Sequence, residues 1–107
     1  MKKLDHLKNI FNNYDHFIID LWGVVHNGIK PYEGAIKTIE ELYNNDKNYV
    51  FLSNAPRPVN DVRKFLIEKM QINKKFLNNI LTSGEAAINS IKNFSYGKLF
   101  FHLGPER

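Results

Sequence analysis

The sequence predicts an α/β protein, a Rossmann-like parallel sheet flanked by helices. Three observations carry this. Helical and strand-like segments alternate along the chain, the pattern of βαβ units. The strand-like segments are short, nearly continuous apolar runs, as in strands buried on both faces. Between the first two lies a stretch of period 3.6, Glu33 to Asn45, with Ala35, Ile36, Ile39, Leu42 and Tyr43 on one side and Lys37, Glu40 and Glu41 on the other.

In chain order, Leu4, Leu7, Ile10, Phe11 and Tyr14 predict an amphipathic helix ended by Asp15-His16. Phe17 to Trp22 predicts a strand interrupted by a single acid, Asp20. Gly23 and Gly28 bracket a flexible loop that ends at Pro31. After the helix at 33–45, Tyr49 to Ser53 predicts a second strand and Ala55-Pro56-Arg57-Pro58 a turn. Asn60 or Asp61 is expected to cap a helix whose core face is Val62, Phe65, Leu66 and Met70. Gln71 to Asn79 is polar and aperiodic. Ile80-Leu81-Thr82 predicts a very short strand, and Ser83 caps a helix carrying Ala86, Ala87, Ile88 and Ile91. Leu99 to Leu103 predicts a last strand.

Composition narrows the function classes. At 107 residues the chain is one domain at most. The absence of cysteine removes disulfides, thiolate metal sites and cysteine nucleophiles. No apolar run approaches the ~20 residues of a membrane span and none follows the basic start as in a secretory signal, so a cytoplasmic protein without a membrane partner is expected. Net charge is +4, but twelve of the fifteen basic residues are scattered lysines, which argues for a solvated surface and no nucleic-acid partner.

In open parallel sheets, ligands bind beyond the carboxyl ends of the strands. Asp20 and Ser53 are expected there. An unpaired charge inside an apolar strand costs several kcal/mol. Asp20 therefore either caps the amides of the next loop or faces a polar cleft or metal. Loop amides around Gly23 can cradle a phosphate. Ser53 and Asn54 can donate to an anion, or end the strand as an ordinary cap. Arg57 pairs with a phosphate or sits in solvent, and His26 is a substrate contact or a plain loop residue.

The runs Phe17-Ile-Ile-Asp-Leu-Trp-Gly-Val-Val-His-Asn-Gly28 and Pro31-Tyr-Glu-Gly-Ala35 resemble the first motif and flap of haloacid dehalogenase-like (HAD) hydrolases, subclass IIA, the NagD-type and 4-nitrophenylphosphatase-like group. Val50 to Arg57 resembles the second motif, Ile80 to Ala87 the segment leading to the cap, and Leu99 to Gly104 the first cap strand. The resemblance implies a magnesium-dependent phosphatase acting on a small phosphorylated substrate. Asp20 would be the nucleophile that forms an aspartyl-phosphate. Ser53, Asn54 and Gly23 would bind phosphate. Magnesium would be held by Asp20 and the backbone carbonyl of Trp22.

Two departures follow from the same resemblance. The acid–base aspartate of typical family phosphatases is replaced by Trp22. The third-motif lysine and fourth-motif acids have no counterpart, leaving the magnesium site incomplete. The chain therefore reads as an N-terminal piece, residues 1–97 from the core and 98–107 from the start of the cap, inactive alone. A separately encoded C-terminal half would be its partner; the alternative is a non-catalytic remnant or interaction module that keeps the βαβ fold.

Overall fold

The computed structural model describes residues 3, 6–101, 103 and 104. Three parallel strands, β1 (His16–Asp20), β2 (Asn48–Ser53) and β3 (Ile80–Thr82), lie in the order β1-β2-β3. Ile18 pairs with Val50, Asp20 with Leu52, and Leu52 with Leu81. The crossovers contain α1 (Glu33–Asn44) and α2 (Val59–Glu68), and α3 (Ser83–Lys92) follows β3. This is the α/β, Rossmann-like architecture expected from the alternation of segments.

The core forms between one sheet face and the two crossover helices. Phe51 is fully enclosed, packed with Leu21, Val25, Ile39, Val62, Leu66 and Met70. The apolar stripes of α1 and α2 therefore face the side that their spacing assigns. The aperiodic stretch 71–79 contributes more than its polarity suggests. Ile72, Phe76 and Leu77 are buried. Tyr49 Oη donates to the Phe76 carbonyl at 3.0 Å, and Arg63 Nε donates to that of Leu77 at 3.1 Å. These bonds satisfy a segment that has no ladder of its own.

Several expectations are corrected. The first segment is two short 3₁₀ turns, Leu7–Asn9 and Phe11–Asn13, instead of a helix, and Leu4 lies outside the described residues. The segment is shorter than the ~12–15 residues at which isolated helices become viable, and Asn12-Asn13 adds poor helix formers. Its main anchor is Phe11 stacked on Phe17, with ring centroids 6.2 Å apart. Residues 98–101 form no strand. Leu99 and Phe101 are about nine-tenths exposed, and among the described residues no strand lies beside them to pair with their backbone. His102 and residues 105–107 of that expected strand and its tail lie outside the described residues.

Two helix caps also differ. Thr82, not Ser83, caps α3, its hydroxyl accepting from Glu85 N at 3.0 Å. Pro58 precedes α2 without a side-chain cap; the Val59 amide is satisfied by Glu85 Oε2 at 3.0 Å, reaching across from α3. None of α3's apolar residues is buried. The radius of gyration, 16.5 Å, exceeds the ~13 Å of a compact domain this long, so the chain is not folded into a closed globule.

Candidate functional site

Asp20 ends β1 with an exposed carboxylate. Its Oδ1 accepts the Leu21 amide at 2.8 Å. One oxygen is thus fixed by the backbone, while Oδ2 accepts no hydrogen bond from the described residues. Ser53 ends β2, one residue beyond the Asp20–Leu52 pair. The two side chains line one cleft of ≈ 560 Å³ together with Trp22, Asn54, Thr82, Ser83, Leu52, Leu81 and Ala86.

Ser53 is buried, and its Oγ accepts from Ala55 N at 3.2 Å, which leaves the hydroxyl proton free to donate into the cleft. Asn54 is exposed, and its side chain makes no hydrogen bond to the described residues. Arg57 is exposed. Thr82 and Ser83, which the sequence reading treats only as strand end and cap, form the third wall. Thr82 Oγ1 donates to the Arg57 carbonyl at 2.6 Å, and Ser83 Oγ donates to the Asn54 carbonyl at 2.9 Å. These bonds fix the loop after β2 against the start of α3. The signal for this lay in Thr82-Ser83-Gly84-Glu85, which has the spacing of a capping box.

The loop after β1 is the main surprise. It is a closed hydrogen-bonded unit, not the flexible cradle that its glycines suggest. The Val24, Val25 and His26 amides donate to the Leu21 carbonyl, Asn27 N donates to Lys30 O, and Asn27 Oδ1 accepts from Ile29 N and Lys30 N. The Gly23 amide donates to the His26 carbonyl at 2.8 Å, so in this arrangement it is not presented to an anion. His26 is buried. Its Nδ1 accepts from Gly28 N at 3.0 Å, which places the ring proton on Nε2. Burial pushes this imidazole below its ordinary range, and the Asp20 charge pulls the other way.

The ring lies edge-on between Trp22 and Phe65, with centroids 5.7 and 5.6 Å away. His26 therefore braces the loop and does not line the cleft. Trp22 folds back over Gly28, whose φ is +86°; a Cβ there would fall 2.3 Å from the indole. Only glycine satisfies both the left-handed backbone and the stacked ring.

As a metal site the arrangement offers few donors. Among the described residues no three His, Cys, Asp or Glu side chains come together. The Trp22 carbonyl accepts no hydrogen bond from the described residues. Asp20 and Trp22 both line the cleft, and a carboxylate oxygen and a backbone carbonyl are the donor types that a hard cation takes, the rest of its shell being water.

A family model described as haloacid dehalogenase-like hydrolase matches residues 17–107. Among solved structures, a hydrolase of the haloacid dehalogenase-like family from Brucella suis 1330 is similar, with a TM-score of 0.72 and 26% identity. That match covers 82% of this chain and 33% of the Brucella chain, so this chain spans one third of the length of that relative. A search of curated proteins finds no match. The chain belongs to the haloacid dehalogenase-like hydrolases. Among the described residues, no helix is long and apolar enough to cross a membrane.

Proposed function

We propose that this chain supplies the nucleophile half of a subclass IIA phosphatase site. The observation that carries the reading is the shared cleft at the carboxyl ends of β1 and β2, where Asp20 keeps one free carboxylate oxygen and Ser53 a free hydroxyl proton. In the proposed reaction Asp20 Oδ2 attacks the phosphorus of a small phosphate ester. The phosphorus–oxygen bond to the leaving group breaks, and that oxygen leaves with the bonding pair. Water then attacks the phosphorus of the aspartyl-phosphate, releasing phosphate and regenerating the carboxylate.

Ser53 and Asn54 donate to the equatorial oxygens, which carry most of the transition-state charge. Asp20 and the Trp22 carbonyl would hold magnesium, which when bound supplies neutralisation of those oxygens. Trp22 cannot move a proton at neutral pH, and general acid–base help is worth about 100- to 10,000-fold. The reaction therefore favours leaving groups that depart unprotonated.

The test is hydrolysis of 4-nitrophenyl phosphate with magnesium. The chain alone is expected to show negligible turnover, because each missing electrostatic contact costs about 100-fold. Turnover is expected once the remaining part of a family core is bound, and Asp20→Asn should abolish it. Turnover that survives Asp20→Asn refutes the assignment. A bound but inactive complex supports the alternative of a non-catalytic module.

A further inference from the structure

Asn27 is the one asparagine of this asparagine-rich chain that is followed by glycine. It lies half-buried in the loop after β1 and does not line the cleft. Its Oδ1 accepts from two backbone amides at once, Ile29 N and Lys30 N, both at 2.9 Å. Beside it, the Gly28 amide donates to His26 Nδ1 at 3.0 Å. Asn27 N is tied to Lys30 O at 3.1 Å, so the side chain and the backbone that follows it are held against each other.

Each of these contacts matches a need of one reaction, attack by a backbone nitrogen on a side-chain amide. The attacking nitrogen must lose its proton, and the Gly28 proton already points at an unprotonated imidazole nitrogen. The attacked carbonyl becomes an oxyanion, and two amides already donate to Asn27 Oδ1. The attacking residue must not block the approach with a side chain, and Gly28 has none. Gly28 N and Asn27 Cγ are the ends of a five-membered ring, so the step is intramolecular.

We infer that Asn27-Gly28 is a self-modification site, at which the folded loop converts Asn27 through a succinimide into aspartate or its β-linked isomer. The Gly28 nitrogen bonds to Asn27 Cγ as its proton passes to His26 Nδ1. The Ile29 and Lys30 amides hold the oxyanion at Oδ1. The Cγ–Nδ2 bond then breaks, and Nδ2 leaves as ammonia with the proton that His26 returns. Water opens the ring at either carbonyl. The β-linked product carries an extra methylene group in the backbone between Asn27 and Gly28. That shifts Gly28 away from His26 Nδ1 and from the Trp22 ring packed on it, so the loop loses the contacts that close it. Neither Asp20 nor a phosphate takes part, and the site stands apart from the phosphatase reading.

Asn73 is a control within the same chain. Its Oδ1 accepts from Lys75 N at 3.1 Å in a similar turn, but it holds this single amide and is followed by Lys74.

The test is mass spectrometry of the full chain kept at physiological temperature and neutral pH. Conversion is read as the mass gain from amide to acid, located by fragmentation. Asn27 is expected to convert at least tenfold faster in the folded chain than in the same chain unfolded in guanidinium chloride, because general acid–base help alone is worth about 100- to 10,000-fold. Hydroxylamine should cleave the folded chain between Asn27 and Gly28 by trapping the succinimide. Asn73 should stay intact. His26→Phe keeps a ring between Trp22 and Phe65 but removes Nδ1, and should lower the folded rate to the unfolded one or below.

A gain of less than tenfold on folding, or slower conversion, overturns the inference. So does conversion of Asn73 at the rate of Asn27, or a His26→Phe chain, folded by circular dichroism, that converts as fast as its parent. The comparison of folded with unfolded parent needs no variant and decides the matter where His26→Phe does not fold.

Discussion

Replacing Gly84 with alanine tests the junction that builds one wall of the cleft. Gly84 lies in the first turn of α3, directly against the turn after β2. An alanine Cβ would sit 2.5 Å from Arg57 N, 2.6 Å from Pro56 C and 2.7 Å from Arg57 C. All three are backbone atoms, so no side chain can rotate away, and the turn must retreat by nearly 1 Å. Overpacking of this kind costs about 1–3 kcal/mol.

The retreat also strains the bonds that tie the junction together: Gly84 N to Ala55 O at 3.1 Å, Thr82 Oγ1 to Arg57 O at 2.6 Å and Ser83 Oγ to Asn54 O at 2.9 Å. Each contributes about 0.5–1.5 kcal/mol net. Helix propensity acts in the opposite direction, favouring alanine by about 1 kcal/mol. The steric term wins, and Gly84→Ala should destabilise by about 2 kcal/mol, lowering Tm by roughly 10 °C for a domain of this size.

Gly34 in the first turn of α1 is the control. A Cβ there meets nothing within 4 Å, so Gly34→Ala should stabilise by about 0.5–1 kcal/mol. Thermal and urea unfolding followed by circular dichroism would read both. A Gly84→Ala protein as stable as its parent, or the two variants moving in the same direction, would refute the packing described for the junction.

Three further outcomes are expected. Phe51→Ala removes a fully enclosed ring and should cost about 3–5 kcal/mol, which in so small a domain leaves little folded protein; a well-folded variant in urea titration would contradict the core. Because burial lowers the His26 pKa, the unfolded chain binds more protons between that lowered value and 6.5, so stability should fall as pH drops through this window. Urea midpoints at pH 7.5 and 5.5 should differ more for the parent than for His26→Gln, and equal differences would exclude this role. Magnesium binding to the isolated chain, with only two oxygen donors, should be about millimolar or weaker by calorimetry, and micromolar affinity would point to another ligand.

The sequence by itself determined the elements whose signal is local. The apolar runs at β1 and β2 imply burial on both faces and the 3.6-residue stripe of α1 burial on one; the stripe and one strand face are covered, but Ile18 and Leu52 leave the other strand face exposed. Asp20 stood out for the same reason, as a charge that a strand interior does not tolerate. Tertiary structure decided whatever depends on a partner distant in sequence. Leu99 to Leu103 has strand composition, but among the described residues no strand lies beside residues 98–101 to pair with them. The polar stretch 71–79 supplies Ile72, Phe76 and Leu77 to the core only because α1, α2 and Tyr49 close around it.

The loop after β1 reads as flexible from Gly23 and Gly28. Its rigidity comes from His26 and Trp22 closing on the Gly28 backbone, a set of contacts that spacing alone does not specify. Residue pattern records which side of an element must avoid water. Only the assembled fold decides whether another surface is there to cover it, and on the Ile18 face of this sheet none is, among the described residues.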